Sequence, residues 1–317
     1  MPKIPYARIS RFWGFKDKIK LVSGLNGRAY IVSSGRSLYI LKRRPADVAC
    51  FTMQQDFLSS LFHNGINVSL PVKNPAGLLE VRIGEFVYSL FTYIEGKKAD
   101  MDISCATPEM AREIGLFTGR LHSALATLND NAIQRRNLFM TLSTSLRFLT
   151  CQRGHLPYLD CERIEEFFGE FFSLYYRLPV QAIHGDYHPG NIIVNSGRVS
   201  GVIDFEYSCR EVKVFDLSYL ISSVLTEFKK MGSPSLALYL IPHLLEGYCL
   251  NNTLTTEERE SIVYLLGAVL LNQVHFFLVR GYPEEAAFAE SILEWVVDNR
   301  ERINDKVGLT CSHSTSR

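Results

Sequence analysis

The stretch Ile183-His184-Gly185-Asp186-Tyr187-His188-Pro189-Gly190-Asn191-Ile192-Ile193-Val194, followed by Val202-Ile203-Asp204-Phe205-Glu206, decides how this chain is read. It sets an Asp, then an Asn after a short loop, then a second Asp after a hairpin. Asn191 to Val194 and Val199 to Ile203 read as two short strands around an Asn-Ser-Gly-Arg turn. Those residue types suit one task. A carboxylate orients or accepts the proton of an attacking hydroxyl, and Asp186 is the candidate catalytic residue. Magnesium takes hard oxygen ligands and keeps part of its water shell, so Asn191 and Asp204 are the candidate metal ligands beside nucleotide phosphates. Pro189-Gly190 is a turn that sets the position of Asn191. His188 reads either as a phosphate contact or as loop packing.

Protein kinases arrange the same parts as H-R-D-x-x-x-x-N and D-F-G. Here the motifs are H-G-D-Y-H-P-G-N and D-F-E. That variant resembles the aminoglycoside phosphotransferase and choline kinase family, whose members phosphorylate small molecules. The resemblance implies an α+β, two-lobed, protein-kinase-like fold: a small β-rich N-lobe over 1–92 and a larger, mainly helical C-lobe over 93–304. A polar tail over 305–317 is expected to be disordered. The resemblance also implies ATP and Mg2+ as cofactors, and a small-molecule hydroxyl substrate as partner. His184 would support the loop backbone. Asp216, in Val214-Phe215-Asp216-Leu217-Ser218, matches a position that braces the loop, and reads equally as an N-terminal helix Asp.

On the nucleotide side, Lys42 ends a strand and resembles the phosphate-binding lysine, with Ile40 on its face and Leu41 on the other. Gly24-Leu25-Asn26-Gly27 lies between two strands. Its glycines would let backbone N–H groups approach phosphate, making Gly24, Asn26 and Gly27 candidate nucleotide contacts; a plain hairpin turn is the other reading. Phe91 and Tyr93, in Phe91-Thr92-Tyr93-Ile94-Glu95-Gly96, resemble the inter-lobe hinge that meets the adenine. Kinases pair the strand lysine with a helix Glu, but that position falls near Gln54 here, with Gln55 and Asp56 beside it. Either Asp56 substitutes or the lysine is held differently.

The acceptor is less legible. Tyr187, Glu206, Tyr207, Asn272, Gln273, His275, Trp295 and Asp298 are candidate lining residues, each also readable as core or surface packing. The wording of Tyr93-Ile94-Glu95-Gly96 and the missing helix Glu are similar to homoserine kinases of this fold. Antibiotic, choline and hydroxylysine kinases share the catalytic motifs. The competing reading is a pseudokinase, a nucleotide-binding module without turnover. No A-P-E segment follows D-F-E, which separates the chain from protein kinases.

Composition agrees with a globular enzyme: 47% of the 317 residues are hydrophobic and 21% charged. Lys+Arg is 34 against Asp+Glu 33, a net charge of +1, which gives no basis for a nucleic-acid partner. No apolar run of membrane-spanning length is evident, and the N-terminus lacks an apolar signal segment, so no membrane association is expected. Seven scattered cysteines without C-x-x-C spacing suit reduced thiols in a cytoplasmic protein.

Helices are predicted over 46–63, ending at Gly65; over 108–126, capped by Thr107 with Pro108 in the first turn; over 161–178; and near 215–230, 235–248, 256–280 and 283–300.

Overall fold

Period-two patterning along the first ninety residues and helical spacing beyond them divide the chain. The computed structural model describes residues 4–25, 27–46, 54–99, 106–128, 133–151 and 160–308, with the backbone alone at 54 and 55. Contacts group the chain into two units, 1–95 with 201–206, and 96–200 with 207–317.

The first unit is built on strands β1 (Lys20–Leu25), β2 (Ala29–Ser34), β3 (Ser37–Pro45), β4 (Glu80–Ile83) and β5 (Phe86–Thr92). They form one antiparallel sheet in the order β1-β2-β3-β5-β4. Alternation works as expected in β3: Leu41 is fully buried, while Ile40 and Lys42 are half-buried on the other face. Leu41 packs with Tyr30, Val32, Tyr88 and Leu90. A short helix, α1 (Tyr6–Phe12), closes this core through Ile9, and Trp13 beyond its end donates its indole N–H to the Val72 carbonyl at 2.8 Å.

Helix α2 (Gln54–His63) covers the second half of the helix expected over 46–63; residues 47–53 lie outside those described. It stops where the glycine predicts. Gly65 takes φ 78°, its N–H donates to Phe62, and Ile66 donates to Leu61, a Schellman ending with Leu61 and Ile66 both buried.

The second unit opens with β6 (Lys97–Lys98) and α3 (Pro108–Ala126), whose Thr107 cap accepts from the Met110 N–H at 3.2 Å. Then come α4 (Leu138–Cys151) and α5 (Cys161–Tyr175), the latter burying Phe167, Phe168 and Phe171. Strand β7 (Val180–Ile183) pairs antiparallel with β10 (Cys209–Val212). Strands β8 (Ile192–Asn195) and β9 (Arg198–Val202) join β6 in the order β6-β8-β9. The turn between β8 and β9 has Ser196 at φ 50° and Gly197 at φ 77°, the paired positive values that a tight two-residue hairpin demands.

Four helices follow β10: α6 (Phe215–Lys230), α7 (Pro234–Cys249), α8 (Thr256–Val279) and α9 (Pro283–Asp298). The last expected helix breaks at Asn299, and α10 (Arg300–Gly308) continues with Ile303 and Val307 buried. The tail expected to be disordered from Asp305 is therefore helical to Gly308, because these apolar positions dock; residues 309–317 lie outside those described. Helix α8 corrects the statement that no segment has spanning length. By length and composition it is apolar enough to cross a membrane, at a mean hydropathy of 2.0. Every residue from Ile262 to Leu271 is buried, so it reads as a core helix apolar on all sides.

Candidate active site

The aspartate loop belongs to the second unit and leaves β7 at His184. Gly185 takes φ 79°, and a Cβ there would collide with the Tyr207 carbonyl, so the motif needs glycine at this point. Asp216, in the first turn of α6, is wholly buried. Its carboxylate accepts the His184 N–H at 2.7 Å and the Gly185 N–H at 2.9 Å. The two readings of Asp216, helix N-terminal acid and loop brace, are thus one arrangement. His122 on α3 places Nε2 3.3 Å from the same carboxylate. His184 is buried and its Nδ1 accepts the Asp186 N–H at 3.3 Å.

Asn191 sits in a single 3-10 turn at Pro189–Asn191, started by His188, whose Nδ1 accepts the Gly190 N–H at 3.1 Å. The Asn191 amide nitrogen donates to the Asp186 carbonyl at 2.9 Å and to Asp186 Oδ2 at 3.3 Å. The chain therefore brings Asp186 and Asn191 together. His188 Nε2 lies 3.7 Å from Asp186 Oδ2. A residue that sequence reading missed completes the loop. Tyr219, on the face of α6 one turn beyond Asp216, has its phenol within electrostatic reach of the Asp186 carboxylate. Burial pushes the phenol's pKa up, and the Asp186 charge raises it further, so Tyr219 stays a donor at neutral pH.

The first unit holds the other expected residues. Lys42 Nζ donates to Asp204 Oδ1 at 2.8 Å and to Glu206 Oε1 at 2.6 Å. Burial works against the ammonium's charge, but the Asp204 and Glu206 carboxylates outweigh it and hold its pKa above the usual lysine value. This corrects the helix partner sought for Lys42: Asp56 is exposed to solvent, and the acids lie after β9 instead. Asp204 takes φ 71°, a conformation that costs a non-glycine residue about 1–3 kcal/mol and clusters at functional positions. Phe91 lies under Lys42, with the ammonium 5.4 Å from its ring centroid, and half-buried Tyr93 follows β5. Gly24 pairs with Tyr30, and Gly27 at φ 73° accepts the Tyr30 hydroxyl and the Arg43 guanidinium on its carbonyl. Asn26 lies outside the described residues.

Several acceptor-side candidates have local partners. Tyr187 is wholly buried and bonded to the Thr118 hydroxyl at 2.9 Å, so it lines no cavity. Asp298 is held on the surface by Arg163. Asn272 and His275 share one partner, the Ser145 hydroxyl, at 2.7 and 2.9 Å, and His275 stacks on Phe148.

Residues 18–271 match the phosphotransferase enzyme family, more than half of the chain. The chain belongs to this family. It is a small-molecule kinase, with an α+β fold that matches other kinase-like phosphotransferases. The homoserine kinase of Methylobacillus flagellatus is 23% identical over 300 residues, spanning 89% of this chain and 88% of that protein. The homoserine kinase of Methylobacillus glycogenes is 25% identical over 309 residues, spanning 89% of each. Among solved structures, an amicoumacin kinase in complex with AMP-PNP and Ca2+ superposes with a TM-score of 0.67 at 18% identity, covering 92% of both chains.

The Asp204 carboxylate and the Asn191 amide each offer a hard oxygen donor, the kind that suits magnesium.

Proposed function

We propose that this phosphotransferase moves the γ-phosphoryl group of ATP to the hydroxyl of a homoserine-like amino alcohol, with magnesium. The observation that carries the reading is Asp186, whose carboxylate accepts the Asn191 amide N–H on a loop braced by Asp216. A carboxylate fixed in this way orients an acceptor hydroxyl and takes its proton as the oxygen bonds to phosphorus and ADP leaves. The names of the homoserine kinase relatives support the acceptor class.

Asn191 and Asp204 would hold magnesium, which when bound neutralises charge on the phosphate oxygens. Lys42 would contact the nucleotide phosphates, exchanging part of its contact with Asp204 and Glu206 for them. Gly24, Asn26 and Gly27 would cover the phosphates through backbone groups, and the Phe91–Tyr93 segment would meet the adenine. The cytoplasm, where Mg-ATP and reduced thiols prevail, is the proposed compartment.

The test is ADP release with Mg-ATP against L-homoserine, choline, hydroxylysine, methylthioribose and an aminoglycoside. Stimulation by L-homoserine is expected. Stimulation only by one of the others would overturn the acceptor class while leaving the reaction. Asp204→Ala should weaken calorimetric Mg-ATP binding by about tenfold or more, and unchanged affinity would refute its metal role.

A further inference from the structure

An arginine that the motifs do not include sits beside the aspartate loop. The segment from Gln134 to Leu138 is fastened along β10. Arg135 bridges Arg210, the Arg136 N–H donates to the Arg210 carbonyl at 3.1 Å, and the Arg210 N–H donates to the Gln134 carbonyl at 3.0 Å. Two residues on, the Leu138 N–H donates to the buried Glu211 carboxylate at 2.7 Å. Arg136 is thus pinned on both sides. Strand β10 pairs with β7 through Cys209 and Ile183, and Ile183 leads directly into His184. Arg136 and Asp186 are carried by the same two-stranded ribbon.

The side chains converge as well. The Arg136 guanidinium lies 5.9 Å from the Phe215 ring centroid, and Phe215 lies 5.9 Å from the Tyr219 ring. Arg136 acts electrostatically on the Tyr219 phenol, and Asp186 acts on the same phenol. Exposed Tyr207 and the His188 ring complete the surroundings of Tyr219.

Arg163, Arg300 and Lys213 each hold a carboxylate. Among the described residues, no carboxylate forms an ion pair with Arg136. Arg136 acts electrostatically on the Cys209 thiol, which burial pushes up to about 12, so at neutral pH that thiol brings no countercharge. A half-buried guanidinium presents a planar fork of donors that matches a carboxylate. An acceptor bearing its own negative charge meets repulsion from Asp186 and from nucleotide phosphates, and a cation is needed there to offset it.

We propose that Arg136 binds the carboxylate of the acceptor and makes the enzyme select short hydroxy amino acids over amino alcohols that lack the acid group. This deepens the homoserine-like reading and rests on it.

The probe pair is L-homoserine and 3-aminopropan-1-ol, which is the same molecule with the carboxylate removed. Both are assayed with the full chain at saturating Mg-ATP. The wild type should prefer homoserine by at least about tenfold in kcat/KM, and Arg136→Met should reduce that preference by about 10- to 100-fold, chiefly through the homoserine KM. A preference unchanged in the variant, with a wild-type melting curve, would overturn the proposal, and so would a defect confined to the KM for ATP. Should Arg136→Met fail to fold, the wild-type ratio decides alone, and a ratio near one overturns the assignment. Turnover of 3-aminopropan-1-ol without homoserine removes the carboxylate role but leaves an amino-alcohol kinase. Turnover of neither removes the acceptor class, and this assignment with it.

Discussion

Asp216 joins the two ends of the loop's support in a single side chain. It is wholly buried, yet its charge is offset by two backbone N–H groups and by His122, and it stands in the first turn of α6 where the helix dipole favours an anion. Tyr219 extends the same helix face to Asp186. Tyr219→Phe removes the phenol that acts on the Asp186 carboxylate and keeps the ring packed on Phe215, so kcat should fall about tenfold with the melting temperature nearly unchanged. Stopped-assay kinetics beside a thermal melt check this, and an unaltered kcat would remove Tyr219 from the site. Cys209 gives a test in pH. Only a thiolate alkylates readily, and a thiol raised from 9.0 to about 12 remains protonated through pH 9. Iodoacetamide at that pH should label exposed Cys151 and spare Cys209 in peptide maps of the native protein. The loop that sets Asp186 against Asn191 was legible in the sequence because the motif fixes both residue type and spacing. Tyr219 and Arg136 were not. One aromatic on an apolar helix looks like core, and Arg136 reaches its place only through a pairing with β10 that no local pattern announces.

At the level of elements, the caps carried the information. Thr107, Gly65 and the Asn195–Arg198 turn each satisfy specific orphan backbone groups, so their residue types mark the boundaries from sequence. Thr255 and Glu258 form a capping box at the start of α8, the Thr255 hydroxyl accepting the Glu258 N–H at 3.1 Å and the Glu258 carboxylate accepting the Thr255 N–H at 2.9 Å. Thr255→Ala should cost about 1 kcal/mol of stability, read as a lower urea midpoint with an unchanged m-value. A midpoint equal to the wild type would mean that tertiary packing alone fixes that helix end. Helices α1 and α4 escaped the sequence reading for a physical reason. Seven residues are too few to show helical periodicity, and the α4 start is set by Glu211 from a strand far along the chain. The carboxylates that meet Lys42 lie 162 and 164 residues away from it, so no local pattern announced them.

Over the whole molecule, the division into units does not follow chain order. Residues 201–206 group with the N-terminal unit, where the Val202 N–H donates to the Asn67 carbonyl at 3.1 Å and Asp204 meets Lys42. Composition and motif order could reveal a β-rich part followed by a helical part, but not that a six-residue piece returns. The same limit holds for the acceptor, because related folds serve different acceptors through side chains far apart in sequence. The account as a whole depends on phosphoryl transfer centred on Asp186. The most direct measurement is phosphorus NMR of a reaction containing Mg-ATP and L-homoserine, run with the wild type and with Asp186→Ala. The account predicts a new phosphomonoester signal rising with ADP, and a rate lowered by about 10²- to 10⁴-fold in Asp186→Ala while that variant still binds Mg-ATP in calorimetry. A phosphomonoester formed at the wild-type rate by Asp186→Ala would contradict it, as would ATP consumed by the wild type with inorganic phosphate as the sole new signal.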